Sequence, residues 1–415
     1  DDYSLEGLAH FLGVEIKERL HVSPEKMAID ERTLKYNEQD VIEEVRIFLH
    51  LVQQGLPLAF ITGMPFELLF PSGATKMWDY MAMIRAAYHK KIMPPLCRVY
   101  DVAKKLLEYK GKKKDIVEKV RRDGASKEVL RVAKYGDEMP DWVEYPFLIY
   151  DEKNKDIAYH FPGGMTIKPD RDANSHFVPW YKVIVADVGA MYPTILRAIN
   201  AGADTVRLAK DEEPDDWIWL KKVPERFIEE VKPVIKEGTE EFIDKGVLMG
   251  VKISKEPGVV NLAMKGIMNF IKKLKQEMKE KSGKEKQILS MMYQSLKAAR
   301  NAGTHGILSA PTVSCRQFNL WGAALITTKG QKILYDTLKT LERNGARVVY
   351  GDTDGIYVAC SRAASRKLRE ALGAIPDGED WIIHPSKVLE IIDYCNKKWR
   401  NALNYEEFEL EAEEH

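Results

Sequence analysis

The chain has 415 residues, enough for two or three sub-domains around a large core. Lys+Arg and Asp+Glu are equal at 63 each, so net charge gives no support for a nucleic-acid partner, which local patches would have to hold. Its four cysteines, Cys97, Cys315, Cys360 and Cys395, form no CxxC pair and argue against a zinc site or a disulfide framework; they suit a cytosolic protein. No apolar run reaches the length of a membrane span, the acidic start lacks the basic region of a signal peptide, and no internal repeat is visible.

From Asp1 to about Leu51 the pattern is helical, with Leu5, Leu8, Ala9 and Leu12 and then Val41, Val45, Phe48 and Leu49 at helix spacing. Tyr36 and Asp40 lie four apart on one helix face, where Asp40 reads by itself as a surface acid. A second helical region carries Trp78, Met81, Ile84 and Tyr88 and reads as core. Basic residues then cluster at Lys104-Lys105, Lys110 to Lys114 and Arg121-Arg122, either a solvated helical face or a phosphate contact.

After Pro140 the character changes. Phe147 to Tyr150 and Ile157 to Phe161 are β-rich, so a sheet domain begins here. Pro162-Gly163-Gly164 is a turn, or a loop whose glycines admit a ligand close to the backbone. Tyr181 to Asp187 is a buried-type strand that ends in an aspartate, which is costly to bury without a metal or a cation.

Ile267, Ile271, Leu274 and Met278 form a helix stripe, with Lys272, Lys273, Lys275 and Lys279 on the other faces. A break at Ser282-Gly283 leads to a second helix bearing Leu289, Met292 and Leu296. On it Lys297, Asn301 and His305 share a face at i, i+4 and i+8. The lysines are a solvated surface, or triphosphate contacts if a metal site is near.

Val348 to Val358 is a hairpin signal: two β-rich runs flank Gly351-Asp352-Thr353-Asp354-Gly355, which puts two carboxylates at the tip. The plain reading is a solvated turn. With Asp187 there are three carboxylates from separate strand ends, the hard-oxygen set that suits Mg²⁺ and in-line phosphoryl or nucleotidyl displacement.

These motifs resemble those of family B DNA polymerases, most of all the archaeal members. Asp187-Val188-Gly189-Ala190-Met191-Tyr192-Pro193-Thr194 resembles the first palm motif, Asp-x-x-Ser-Leu-Tyr-Pro-Ser, and Lys297-x-x-x-Asn301 the fingers motif. Tyr350-Gly351-Asp352-Thr353-Asp354 resembles the second palm motif, with Gly355 in place of its final serine. Gly163-Gly164 sits where the family has a Tyr-x-Gly-Gly loop, and Tyr36-x-x-x-Asp40 is similar to the third motif of the proofreading exonuclease. The order and rough spacing agree over nearly the whole chain.

The resemblance implies an α/β (α+β) fold: an antiparallel palm sheet with an inserted helical-hairpin fingers module, preceded by the helical remnant of an exonuclease domain. The expected division is 1–50 for the end of the 3′–5′ exonuclease domain, 51–145 for a helical connector with the basic insertion, 146–256 for the first part of the palm, 257–308 for the fingers and 309–415 for the second part of the palm. It implies a template-directed DNA polymerase of replication or repair, with primer–template DNA and deoxynucleoside triphosphates as substrates. Asp187 and Asp354 would hold two Mg²⁺ ions, for which Mn²⁺ can substitute, with Asp352 in a weaker or orienting role. Val188, Gly189, Ala190, Met191, Tyr192, Lys275, Lys297 and Asn301 would bind the nucleotide, and Tyr192 would exclude a 2′-hydroxyl. Gly163, Gly164, Tyr350, Gly351 and Thr353 would lie along DNA, while Tyr36 and Asp40 would remain from the exonuclease.

Two departures bear on efficiency. Aligning Pro257-Gly258 with the start of the fingers puts Ile271 where an arginine is usual, and Ala302-Gly303-Thr304-His305-Gly306 replaces Ser-x-Tyr-Gly. A non-catalytic DNA-binding or replisome scaffold is the alternative these changes favour and the retained carboxylates oppose. The family continues beyond both ends of this sequence, so proofreading by this chain alone is not expected. Either the sequence is a fragment or, the expectation adopted, a second polypeptide supplies the thumb; any sliding-clamp contact would come through another chain. The expected location is the cytoplasm, with the nucleoid.

Overall fold

The computed structural model describes residues 4–93 except 24, 26 and 70–72, together with 150–151, 156–157, 163–169, 180–220, 228–229, 232–236, 246–309, 316–317, 319–361 and 381–414. The basic run at 104–122, the strand signals at 147–149 and 158–161, Cys97 and Cys315 lie outside the described residues. The chain forms two compact units, Asp1–Met81 with Gly266–Ala299 and Ala82–Lys265 with Arg300–His415.

In the first unit, helix α1 (Leu5–Phe11) is capped by Ser4, whose hydroxyl accepts from the Gly7 N–H, and it stops at Gly13, which takes a left-handed φ of 67°. The described residues between 14 and 30 are not α-helical, although the pattern from Asp1 to about Leu51 reads as helical. Their backbone groups are taken by side chains of α2 (Glu31–Thr62): the Ile16 N–H donates to Glu43, the Leu20 N–H donates to Gln39, and Arg46 donates to the carbonyls of Val14 and Glu15. Asp30 caps α2, which runs on past the expected boundary at 50/51 and ends at Gly63. Short α3 (Phe66–Leu69) and α4 (Ala74–Tyr88) follow. Trp78 and Met81 are core as expected, and the Trp78 indole donates to the Ala299 carbonyl at 2.8 Å, whereas Ile84 and Tyr88 are exposed. No single helix among the described residues is long and apolar enough to cross a membrane.

In the second unit, β1 (Tyr150–Asp151) and β2 (Asp156–Ile157) form a two-stranded ladder. The main sheet is built from β3 (Thr166–Ile167), β4 (Tyr181–Val188), β9 (Arg347–Asp352), β10 (Gly355–Ser361) and β11 (Leu410–Glu414), which lie in the order β11-β4-β10-β9-β3. Every pairing in it is antiparallel. A second sheet, not anticipated as such, contains β5 (Val206–Leu208), β6 (Asp216–Leu220), β7 (Ile235–Lys236) and β8 (Val247–Ile253). Helix α5 (Met191–Ala198) follows β4 directly.

Two long helices, α6 (Val259–Glu280) and α7 (Gly283–Ala302), are joined through Gly283 at a left-handed φ of 58°. The start of α6 is fixed by side chains. Asn200 accepts from the Gly258 N–H and Asp204 from the Val259 N–H, while a Cβ on Gly258 would lie 2.6 Å from Thr205. Short α8 (His305–Ser309) comes next, then α9 (Leu320–Arg343), which packs against both sheets, and α10 (Pro385–Leu403). Ala186, Val188, Ile356, Val358 and Leu410 form the buried face of the main sheet, and α9 and α10 pack against that sheet. The mixed helical and antiparallel-sheet class is the one expected.

Candidate active site

The alternation of β4 turns Ala186 and Val188 inward and leaves Asp187 on the open face of the sheet. Asp187 pairs in register with Gly355 on one side and Glu411 on the other, and Gly355 pairs with Asp352. One row across the sheet therefore reads Glu411, Asp187, Gly355, Asp352. Two residues along, the next row reads Glu413, Val185, Tyr357, Tyr350. Residues of one row share a face, so two glutamates of β11 join the expected aspartates. Together with Asp354 these rows line a cavity of about 430 Å³.

The tip of the hairpin is Thr353-Asp354. Thr353 has a left-handed φ of 52°, and its N–H donates to the Met165 carbonyl at 2.8 Å while its hydroxyl donates to Asp352 at 2.9 Å. The Val188 N–H donates to the Asp354 carbonyl at 2.9 Å, which ties the two acid-bearing strand ends together. Gly164 packs on Thr353: a Cβ there would lie 2.5 Å from the threonine hydroxyl, whereas nothing stands within 4 Å of one on Gly163. The close approach that Gly164 permits is thus to the hairpin tip. Gly164→Ala should displace Thr353 and destabilise the fold by about 1–3 kcal/mol, while Gly163→Ala should be close to neutral; thermal melts of the two variants test this.

Burial raises the Asp354 pKa, and the charge of Asp352 raises it further, opposed by a backbone hydrogen bond. Tyr192 also has a raised pKa, first through burial and then through Asp354 and Asp352. Its ring carbon Cε1 lies 3.5 Å from the position of a Cβ on Gly330, where α5 meets α9. Ala190 precedes α5 at a left-handed φ of 55°, unusual for a residue with a side chain. The side chains of Val188 and Met191 are buried, so a ligand meeting this stretch would meet Gly189, Ala190, Tyr192 and the main chain.

The carboxylate oxygens fit a hard divalent cation. Among the described residues no group of three or more His, Cys, Asp or Glu stands close enough to hold one by itself. Mg²⁺ takes one or two carboxylates and completes its shell with water and substrate phosphates, so the Asp187 and Asp354 pair suits it.

In the first unit, Lys275 and Lys297 are exposed. The Lys275 ammonium lies 5.9 Å from the centre of the Tyr293 ring, one helical turn before Lys297, so both lysines border one face of the α6–α7 pair. Ile271 is buried, which leaves the cationic surface of α6 to Lys272, Lys275 and their neighbours. In the second unit, the Asn301 side-chain oxygen accepts from Arg300 at 3.1 and 3.0 Å. The α7 helix does not continue to position 305 as expected. The helix stops at Ala302, Gly303 breaks the pattern, and the buried Thr304 donates its hydroxyl to the Asn301 carbonyl at 2.9 Å.

Asp40 has a defined partner. Arg19, only 8% exposed, donates to both Asp40 and Glu43, and its guanidinium lies 5.9 Å from the Tyr36 ring. The expected exonuclease pair is thus part of a cluster closed by an arginine 21 residues before Asp40.

The profile of DNA polymerase family B matches residues 98–375. The chain belongs to this family. Among family members, the DNA polymerase 1 of Pyrococcus abyssi is 22% identical over 259 residues, covering 61% of this chain and 26% of that protein. The DNA polymerase 1 of Saccharolobus solfataricus is 23% identical over 185 residues, 43% of this chain and 18% of its own length. The chain therefore spans about a quarter or less of these curated relatives. A solved family B polymerase from Pyrobaculum calidifontis aligns at 18% identity with a TM-score of 0.46, over 99% of this chain and 39% of that one. Of the site, Glu411 and Glu413 were missed from sequence: the alternation Leu410-Glu411-Ala412-Glu413 was visible, but not the strand beside which it would lie.

Proposed function

We propose that this chain carries the palm and fingers of a template-directed DNA polymerase, extending a primer 3′ end by nucleotidyl transfer in replication or repair. The observation that carries the reading is the row of Asp187 and Asp352 on the main sheet, with Asp354 at the hairpin tip beside them. Residues 146–256 and 309–415 make the palm, 257–308 the fingers, 51–145 a connector and 1–50 the end of an exonuclease domain. Asp187 and Asp354 would hold the divalent ions, Mg²⁺ or Mn²⁺, and Asp352 orients the hairpin through Thr353. Such ions, when bound, supply activation of the primer 3′-oxygen and neutralisation of the leaving pyrophosphate. Tyr192 walls the sugar side of the nucleotide, and the main chain from Gly189 to Met191 donates to its phosphates, the Val188 N–H being taken by the Asp354 carbonyl; Asn301 adds a contact. Gly163, Gly164, Tyr350 and Thr353 border the DNA, whereas Gly351, expected there too, is buried in register with Ile356 on the opposite face.

Primer extension on a recessed template with Mg²⁺ and all four deoxynucleotides tests this. The chain is compared with Asp354→Ala, each with and without a polypeptide carrying the rest of the family architecture. Extension that is lost in the variant is the expected result. The altered fingers motif favours a second reading, a DNA-binding scaffold, and the two part on one measurement. The polymerase reading expects Mg²⁺-dependent binding of a deoxynucleoside triphosphate, and the scaffold reading expects none.

A further inference from the structure

The cavity is lined by five carboxylates, yet the middle of its second row is uncharged: Val185, Tyr357 and Tyr350 stand side by side. The two tyrosine rings are 5.2 Å apart, centre to centre, and tilted by 58°, and Tyr357 remains 36% exposed. A nucleic-acid phosphate laid on this face would meet the negative charge of the carboxylates. The neutral part of a nucleotide would not, because the tyrosine–valine floor offers it apolar and aromatic surface. Successive same-face residues of a strand are about 7 Å apart, so the floor lies within one nucleotide of the acid row.

Resting on the polymerase reading, we infer that Tyr357, braced by Tyr350 and Val185, seats the sugar and base of the primer-terminal nucleotide and so presents its 3′-oxygen to the acids. The contact is with uncharged surface. It is therefore independent of base identity and weakly dependent on salt, unlike contacts to phosphate.

The test is equilibrium binding, without nucleotide, of the chain to two recessed primer–template hairpins, one with an intact terminal nucleotide and one whose terminal nucleoside is an abasic tetrahydrofuran. The chain is compared with Tyr357→Val, which keeps strand propensity and removes the ring, and with Tyr357→Phe, which keeps the ring; thermal melts check folding. The expected result is about tenfold tighter binding of the intact terminus by the chain and by Tyr357→Phe, falling to within about twofold in Tyr357→Val. Equal discrimination in Tyr357→Val overturns the inference, and so does its absence in the unsubstituted chain, a result that needs no variant to fold. A chain that binds a recessed end no better than a blunt duplex overturns the polymerase reading as well, and that pattern is distinct from a loss confined to Tyr357.

Discussion

Asp354→Ala is expected to lower primer extension by about a thousandfold or more while leaving the thermal midpoint unchanged or slightly raised. The activity loss follows from removing one of two carboxylates assigned to the divalent ions, whose charge stabilisation is worth several kcal/mol, and about 4 kcal/mol is a thousandfold in rate. The stability effect has the opposite sign. Asp354 is held partly out of water beside the charge of Asp352, which is why its pKa is raised, so the ionised carboxylate is a liability to the fold. Deleting it removes a repulsion. A midpoint that fell together with activity would mark Asp354 as structural and remove the basis of the assignment. Ligand linkage gives a readout independent of turnover: Mg²⁺ should raise the midpoint of the unsubstituted chain and do so much less in Asp354→Ala, since a ligand at 100 times its Kd stabilises by about 2.7 kcal/mol.

The hairpin that bears Asp352 and Asp354 was legible because its signals are local. Glycines bracket the tip, β-branched residues flank it, and the side-chain period is two. The long helices were legible for the same reason, through apolar stripes such as Ile267, Ile271 and Leu274, all buried. Pairing between distant strands was not, because alternation shows which residues share a face and not which strand lies alongside. Glu411 carries a clear outward signal, yet its neighbour Asp187 lies more than two hundred positions earlier in the chain. His305 failed for another reason. Extrapolating a helix face assumes that the helix continues, whereas here it breaks at Gly303, and the Thr304 hydroxyl bonds back to the Asn301 carbonyl.

Arg19 was invisible at the sequence level, although its replacement should have the largest effect on stability. The Glu43 side chain is 0% exposed and that of Arg19 8%, with Asp40 at 26%, so the pair with Glu43 is buried and that with Asp40 partly so. Removing one partner of a buried ion pair leaves a charge without compensation, and Arg19→Met is expected to cost about 3–5 kcal/mol in urea unfolding followed by helical signal. The loss should be contextual. The doubly substituted Arg19→Met, Glu43→Leu chain buries two apolar groups in place of the charges and should recover most of the stability, because the penalty lies in the orphaned carboxylate more than in the lost attraction. The Ile16 N–H, which donates to Glu43, would then lack its acceptor and keep the recovery from being complete. If the double variant were as unstable as Arg19→Met alone, the packing of the arginine stem and its contact with Tyr36 would be what holds residues 14–20 on the helix, with the ion pairs secondary.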